Sequence, residues 1–263
     1  MHFNLFRRAG VVACMLAFGL PSLAHAALGA SVTLVGPDPI FPGEVTSLRI
    51  QLSNSAATPI NAVSFPNQPP ATLPGTLPNG LAFAANGDIL ISNFGTDLLE
   101  VMARDGQTRT VFDRIDGQPI GKVNFVLRDS KDRIWITVST RVNPWTAAAA
   151  SRVRDGYIAV VEPGRGIRVV AEGFYFTNEI RLDAREEWLY IVETTGPWIT
   201  RMRLDETHGD GVRLVDRAVF GPANLGGPPD GIAFDAYGNL WCTLVMTDQL
   251  VAITPEGGLR MLL

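Results

Sequence analysis

The sequence predicts an all-β protein: a partial β-propeller of about four blades, preceded by a short, incomplete β-sandwich-like segment. Two observations predict this class. The 263 residues include 26 Gly and 18 Pro, and so many turn-forming residues favour many short strands over a helical bundle. A strand–turn–strand pattern also begins at residues 79, 124, 178 and 230, and a repeat of about 40–50 residues built from short strands is typical of propeller blades.

Residues 1–26 are predicted to be a secretory signal peptide. Arg7 and Arg8 precede an apolar run over residues 9–20, and Ala24 and Ala26 form a small-x-small cleavage site. The run is too short for a permanent membrane span, although a short membrane anchor is an alternative. We therefore expect export to the bacterial periplasm or exterior, with a mature chain that starts at Ala27.

The composition of the mature chain limits its chemistry. The formal net charge of the whole chain is −4, which is unsuited to phosphate binding, so we expect no nucleic-acid partner. Cleavage leaves one histidine, His208, in an acidic turn pattern, so a histidine-rich zinc site is excluded. The remaining cysteine, Cys242, lies in an apolar strand pattern and is predicted to be a buried structural thiol.

The segment 27–75 has its own character. Leu48, Ile50 and Leu52 alternate with polar residues as in a half-buried strand, and a Pro-rich linker follows. The stretch over residues 32–65 resembles the opening of bacterial surface repeats with an immunoglobulin-like sandwich. It has room for about three strands, whereas such a sandwich needs about seven, and no chemistry is assigned to it.

The segment 76–263 contains the four repeats. Each repeat starts with Asn or Asp and continues with an alternating strand, a polar turn of the form D-x-x-G/D/E and a second apolar strand. Third and fourth strands are predicted after each of the first three repeats.

The first residue of each repeat is a candidate ligand for a metal ion. Equivalent positions of radially arranged blades converge, so Asn79, Asn124, Asn178 and Asp230 are expected at one mouth of the central channel. Oxygen ligands of this kind suit a hard cation such as calcium. The alternative is that these residues only cap the turns that lead into the strands.

Three sequence motifs resemble the senescence-marker-protein/gluconolactonase family of regucalcin-like, six-bladed propellers. They are GQPIGKVNFVLRDSKDRIWIT, FYFTNEIRLDAREEWLYIVETT and GGPPDGIAFDAYGNLWCT. The resemblance covers about residues 76–263, about four of the six blades. It implies that Asn124, Asn178 and Asp230 bind a divalent cation, calcium in the first place, and that Asp230 is catalytic.

The sequence departs from this family at the first metal ligand. The family has a Glu in a PEGP-like motif about two blades before its first metal-binding Asn. Counting back from Asn124 leads to about residue 34, where Asp38 and Glu44 are the nearby acids, in an unrelated context. Asn79 lies in the blade that provides no ligand in the family.

Lys122, Asn124 and Trp145 are predicted to bind the substrate. Lys122 lies two residues before Asn124, on the same side of an extended segment, although a solvated loop lysine is the alternative. Residues 141–156 form a long connection that could be a lid with Trp145 against the substrate; the alternative is a surface loop with an Ala-rich helical turn.

These observations favour a metal-dependent hydrolase of a lactone or small ester. The sequence leaves two alternatives open: a non-catalytic periplasmic or extracellular binding propeller, and an inactive fragment. About four blades would leave two open edges, so self-association is also expected.

Overall fold

The computed structural model describes residues 28–35, 47–54 and 75–261, with side chains only in the last range. The predicted signal peptide and most of the segment 27–75, including Asp38 and Glu44, lie outside the described residues. The chain divides after Gln68 into two units. In the first unit, β1 (Leu28–Val35) pairs antiparallel with β2 (Ser47–Asn54). Strand β2 contains the predicted alternating segment.

The second unit consists mainly of four antiparallel sheets of four strands each. The first sheet contains β3 (Pro78–Phe83), β4 (Ile89–Asn93), β5 (Leu98–Met102) and β6 (Thr108–Phe112). A two-stranded sheet of β7 (Arg114–Ile115) and β8 (Gln118–Pro119) follows. The second sheet contains β9 (Val123–Arg128), β10 (Ile134–Val138), β11 (Gly156–Val161) and β12 (Ile167–Phe174), with helix α1 (Trp145–Ser151) between β10 and β11.

The third sheet contains β13 (Thr177–Leu182), β14 (Trp188–Glu193), β15 (Trp198–Asp205) and β16 (Arg213–Phe220). The fourth contains β17 (Pro229–Phe234), β18 (Leu240–Leu244), β19 (Gln249–Ile253) and β20 (Leu259–Met261). Each sheet is a meander in which consecutive strands pair. Each is therefore one propeller blade, and the predicted partial β-propeller is confirmed.

The turns of the D-x-x-G/D/E pattern have a conformational cause, which also applies to the first turn, where Ala84 replaces the Asp. The last residue of each turn is left-handed: Gly87 has φ 85°, Asp132 61°, Glu186 55° and Gly238 81°. Its N–H donates to the carbonyl three residues earlier, so the chain reverses tightly between the first two strands of each sheet. Glycine adopts this conformation without a steric cost, and short polar residues tolerate it.

The hydrophobic core lies between successive sheets. Strand β3 packs on β9, β9 on β13, and β13 on β17, so the first strands form an inner layer. Each junction is filled by one apolar cluster, represented by Leu99 and Val126, by Trp135 and Ile180, and by Val192 and Ile232. Alternation makes this possible, because neighbouring residues of β10, Trp135 and Ile136, face different sheets.

Within the described residues, no helix has the length and apolar character needed to cross a membrane.

Candidate functional site

A β-bulge positions the first residue of every repeat. In the first, third and fourth sheets, two residues of the inner strand face one residue of the next strand. These pairs are Asn79–Gly80, Asn178–Glu179 and Asp230–Gly231. In the second sheet, Asn124 is the extra residue between two paired neighbours. A bulge redirects a side chain out of the regular alternation, so the four residues occupy the same end of their sheets. We call this end the mouth.

A hydroxyl on the second strand supports three of the four bulges. The backbone N–H of Gly80 donates to Ser92 Oγ at 2.7 Å, that of Phe125 to Thr137 Oγ1 at 2.9 Å, and that of Gly231 to Thr243 Oγ1 at 3.0 Å. A bulge removes ladder hydrogen bonds, and these hydroxyls replace one of them. In the third sheet, the residue opposite the bulge is Val192.

Two of the predicted metal ligands have their amides oriented in the same way. Asn124 Nδ2 donates to Ser139 Oγ at 2.9 Å, and Asn178 Nδ2 donates to Thr194 Oγ1 at 3.2 Å. Ser139 and Thr194 occupy equivalent positions. Each directly follows the residue of the second strand that pairs with the first residue of the inner strand.

The same two hydroxyls tie each sheet to the next. Ser139 Oγ donates to the Thr177 carbonyl at 2.6 Å, and Thr194 Oγ1 donates to the Pro229 carbonyl at 2.8 Å. Both carbonyls belong to the residue before the next ligand candidate. The hydroxyls therefore fix the side chain of one candidate and the backbone of the following one.

The structure brings the four first residues together as two hydrogen-bonded pairs. Asn79 Nδ2 donates to Asn124 Oδ1 at 2.8 Å, and Asn178 Nδ2 donates to Asp230 Oδ1. The link from Asn124 through Ser139 to the backbone of Thr177 joins the two pairs. Asn79, which belongs to the blade without a ligand in the family resemblance, thus contacts a predicted ligand.

Glu179 is a site residue that the sequence analysis missed. It follows Asn178 within the bulge, where the first and fourth sheets have glycine. Its side chain reaches the fourth sheet, since Oε2 accepts from the backbone N–H of Ile232 at 3.2 Å, and its other oxygen pairs with Arg181. Burial raises the pKa of Glu179, and the negative charge of Asp230 raises it further, although Arg181 and the Ile232 N–H oppose this.

The donors at the mouth fit a hard divalent cation in their chemistry. Amide and carboxylate oxygens are the ligands that calcium prefers. Asp230 forms no ion pair with Lys, Arg or His in residues 75–261, so its charge remains available to a cation. The same range contains no group of three or more His, Cys, Asp or Glu side chains suited to a metal. A site here depends on the two asparagines.

Lys122 is held rather than freely solvated. Its Nζ lies 2.8 Å from Asp97 Oδ1 and 5.6 Å from the centre of the Phe94 ring, and its side chain is only 14% exposed. The predicted substrate lysine therefore lies two residues before Asn124 with its charge already paired.

Trp145 is the first residue of α1 and packs against two aromatic rings. Its ring centre lies 5.5 Å from that of Phe94 and 5.9 Å from that of Phe176. Phe176 lies two residues before Asn178 and Phe94 directly follows β4, so the loop of Trp145 reaches the mouth of the first and third sheets. The loop contains a short Ala-rich helix, as in the alternative interpretation of a surface loop.

Other polar candidates serve the fold. Asp129 and Asp235 accept backbone N–H groups in their turns and the indole N–H groups of Trp135 and Trp241. His208 is exposed in its turn, as expected. Cys242 is fully buried, and burial raises the pKa of its thiol to about 12.

A known protein family matches most of this chain. The sequence-family model of the SMP-30/gluconolactonase/LRE-like region matches residues 47–261. The chain belongs to this family. The match includes β2 as well as the four sheets. A 6-deoxy-6-sulfogluconolactonase of Pseudomonas putida is 28% identical over 123 residues, which cover 44% of this chain and 42% of that protein.

Two solved structures of this fold illustrate the likeness. A gluconolactonase from Xanthomonas campestris is 21% identical, with a TM-score of 0.58, over 70% of this chain and 61% of that one. Regucalcin from Agrobacterium tumefaciens, a calcium-binding protein, is 19% identical, with a TM-score of 0.56, over 73% of this chain and 60% of that one. The chain thus matches less than two thirds of the length of each of these relatives.

Proposed function

We propose that this protein is a lactonase that depends on a divalent cation, with calcium as the first candidate. The observation that supports this most is the placement of Asn124, Asn178 and Asp230 in equivalent bulges, with Asp230 not neutralised by any basic side chain of residues 75–261. Family membership and the names of the relatives support lactone hydrolysis.

The residues of the chain divide the work in this proposal. Asn124, Asn178 and Asp230 would hold the cation, which when bound polarises a carbonyl and lowers the pKa of a bound water. Ser139 and Thr194 keep the two amides in place. Lys122 would orient a polar group of the substrate beside Asn124.

The reaction is the addition of water to the lactone carbonyl. A new bond forms between the water oxygen and the carbonyl carbon, and the bond from that carbon to the ring oxygen breaks. The product is the open hydroxy acid. Asp230 Oδ2 accepts no hydrogen bond from residues 75–261, so it is the candidate acceptor for the proton of the attacking water.

The test is hydrolysis of glucono-δ-lactone and δ-valerolactone by the metal-free protein, with and without added calcium. We expect activity to return with calcium and to fall at least about 100-fold in Asp230→Asn, because the site loses its only formal charge among the three ligands. Calorimetric titration with calcium should show weaker binding by the same variant.

Asp210→Asn is the matched control. Asp210 is an exposed carboxylate in the turn between β15 and β16 and pairs with Arg213, so this change should leave both measurements unaltered. Calcium binding without hydrolysis of any lactone would favour the non-catalytic propeller. Equal calcium affinity in wild type and Asp230→Asn would refute the proposed ligands.

We also propose that the protein is exported and that residues 1–26 are removed. The small residues Ala24 and Ala26 before Ala27 support this proposal. Intact-mass measurement of the protein from a bacterial periplasmic fraction should give a chain that starts at Ala27. A mass that still includes the first 26 residues would contradict it.

A further inference from the structure

Three aromatic rings from three different sheets meet at the mouth. Phe94 follows the second strand of the first sheet, Trp145 belongs to the loop of the second sheet, and Phe176 precedes the inner strand of the third sheet. The centres of the Phe94 and Phe176 rings are 6.4 Å apart although the second sheet lies between their sheets in the series. The rings therefore converge on the inner side of the blades.

The backbone places these rings next to the candidate ligands. Phe176 lies two residues before Asn178, the position that Lys122 occupies before Asn124. The Phe176 carbonyl accepts a hydrogen bond from the Thr194 N–H at 3.1 Å, and the Lys122 carbonyl accepts one from the Ser139 N–H at 2.9 Å. Thr194 and Ser139 each directly follow the second strand of their sheet. Phe94 occupies the corresponding position after the second strand of the first sheet, and its N–H donates to the Leu77 carbonyl at 3.0 Å.

The backbone of Phe176 has a conformation that is unusual for an aromatic residue. Its φ is 55°, in the left-handed region that bulky residues rarely adopt. Such conformations tend to persist at ligand sites. The ring of Phe176 is buried against Phe94 and Trp145, while Trp145 remains 39% exposed. Trp145 is thus the ring of the trio that is open to an incoming molecule.

Two hydroxyls beside the trio are already committed to partners. The Ser139 and Thr194 hydroxyls each accept from an asparagine amide and donate to a carbonyl. At the equivalent backbone positions of the first and fourth sheets the residues are apolar: Leu77, Pro228 and Val245. A substituent that packs on the trio would therefore meet mainly aromatic and aliphatic side chains, and a hydroxyl buried against them would lose hydration.

We propose that the trio of Phe94, Trp145 and Phe176 is a subsite for an apolar substituent, so that the preferred substrates are lactones with an alkyl or aryl group. This inference rests on the proposed lactonase function and specifies its substrate class. The lactone carbonyl would lie at Asn124, Asn178 and Asp230, and the hydrocarbon group would pack on the Trp145 ring, where burial of apolar surface favours binding.

The experiment compares kcat/KM for δ-decalactone, which has a pentyl substituent, with that for δ-valerolactone, which has none. We expect wild type to favour δ-decalactone by at least about tenfold, which is the gain in binding that burial of about two methylene groups provides. Trp145→Ala should lower this ratio about tenfold, and Trp145→Gln, which keeps a long side chain, should lower it similarly.

Tyr237→Ala is the matched control, because Tyr237 is an exposed aromatic residue in the turn at the opposite end of the fourth sheet. It should leave the ratio unchanged. Thermal melting monitors folding of each variant. Hydrolysis of both lactones with no preference, or with a ratio that the Trp145 variants leave unchanged, would overturn the subsite while the lactonase function stands.

Failure to hydrolyse any lactone would instead refute the proposed function. The subsite is then tested by calorimetric binding of the lactam analogue of δ-decalactone. Binding that weakens about tenfold in Trp145→Ala supports the subsite, and equal or undetectable binding in both proteins overturns it.

Discussion

At the scale of single residues, the aspartates of this chain have two separate roles that their sequence context alone does not distinguish. Asp230 lies in a bulge with an amide on Oδ1 and no basic partner among residues 75–261. Asp235, only one strand further on, is enclosed by donors in its own turn. The first arrangement leaves a charge for a ligand, whereas the second uses the charge to hold a turn.

Asp235 should make stability depend on acid pH. Burial opposes its ionisation, but the Asn239 amide, the Trp241 indole and two backbone N–H groups outweigh this and lower its pKa from 3.8 to about 2. A lowered carboxyl pKa adds stability that is present above about pH 4 and is lost as the pH falls toward 2. Because Asp235 is partly exposed, we expect its share to be about 1 kcal/mol.

Asp235→Asn tests this directly. Asparagine keeps one acceptor oxygen but turns an N–H group toward donors, so the free energy of unfolding at pH 7 should fall by about 1–2 kcal/mol. The loss between pH 5 and pH 2 should be smaller than in wild type. Urea unfolding at several pH values measures both. Asp105→Asn is the control, because Asp105 lies in an exposed turn with one backbone partner. If the free energy of unfolding depends on pH in the same way in wild type and Asp235→Asn, Asp235 is not the source of the acid sensitivity.

At the scale of strands and turns, the repeat was predictable because its signals are local. Alternation and the D-x-x-G/D/E turn predicted the inner two strands of each blade, and the structure has them. The bulges were not predictable, because a bulge is a property of the register between two strands. Glu179 and the packing of Phe94 and Phe176 on Trp145 were missed for a related reason, since these contacts join residues of different sheets.

The turn at the far end of the fourth sheet should require its glycine. Gly238 has φ 81°, and a Cβ added there would lie 3.4 Å from Pro255 Cγ, so the backbone conformation rather than space is limiting. Gly238→Ala should lower the free energy of unfolding by about 1–2 kcal/mol. Gly166→Ala, at a glycine with open space and no left-handed φ, should be neutral or stabilising by up to about 1 kcal/mol. Equal effects in denaturant titrations would refute the explanation.

At the scale of the whole chain, the four sheets of residues 75–261 share three core junctions. Gly80 lies close to Phe125 of the second sheet: a Cβ added to Gly80 would lie only 2.7 Å from that ring. The next residue, Leu81, is 45% exposed.

Family membership predicted from three motifs was confirmed. The metal, its ligands and the cellular location stay predictions, because they depend on a bound ion and on residues that precede the described sheets.

The exposed apolar side chains of the first sheet lead to the last prediction. Leu77, directly before β3, and Leu81 of β3 are 59% and 45% exposed, and Met246, in the turn between β18 and β19, is 91% exposed. Exposed apolar surface of this kind favours association. The chain of residues 27–263 should therefore self-associate as its concentration rises, as light scattering after size-exclusion chromatography would show.

Leu81→Lys should shift it toward monomer, because a charge on the contact face must be desolvated. Val219→Lys is the control, since Val219 is equally exposed at 45% but lies on the outermost strand of the third sheet. A monomer at every concentration, in wild type as in both variants, would show that these faces do not mediate association.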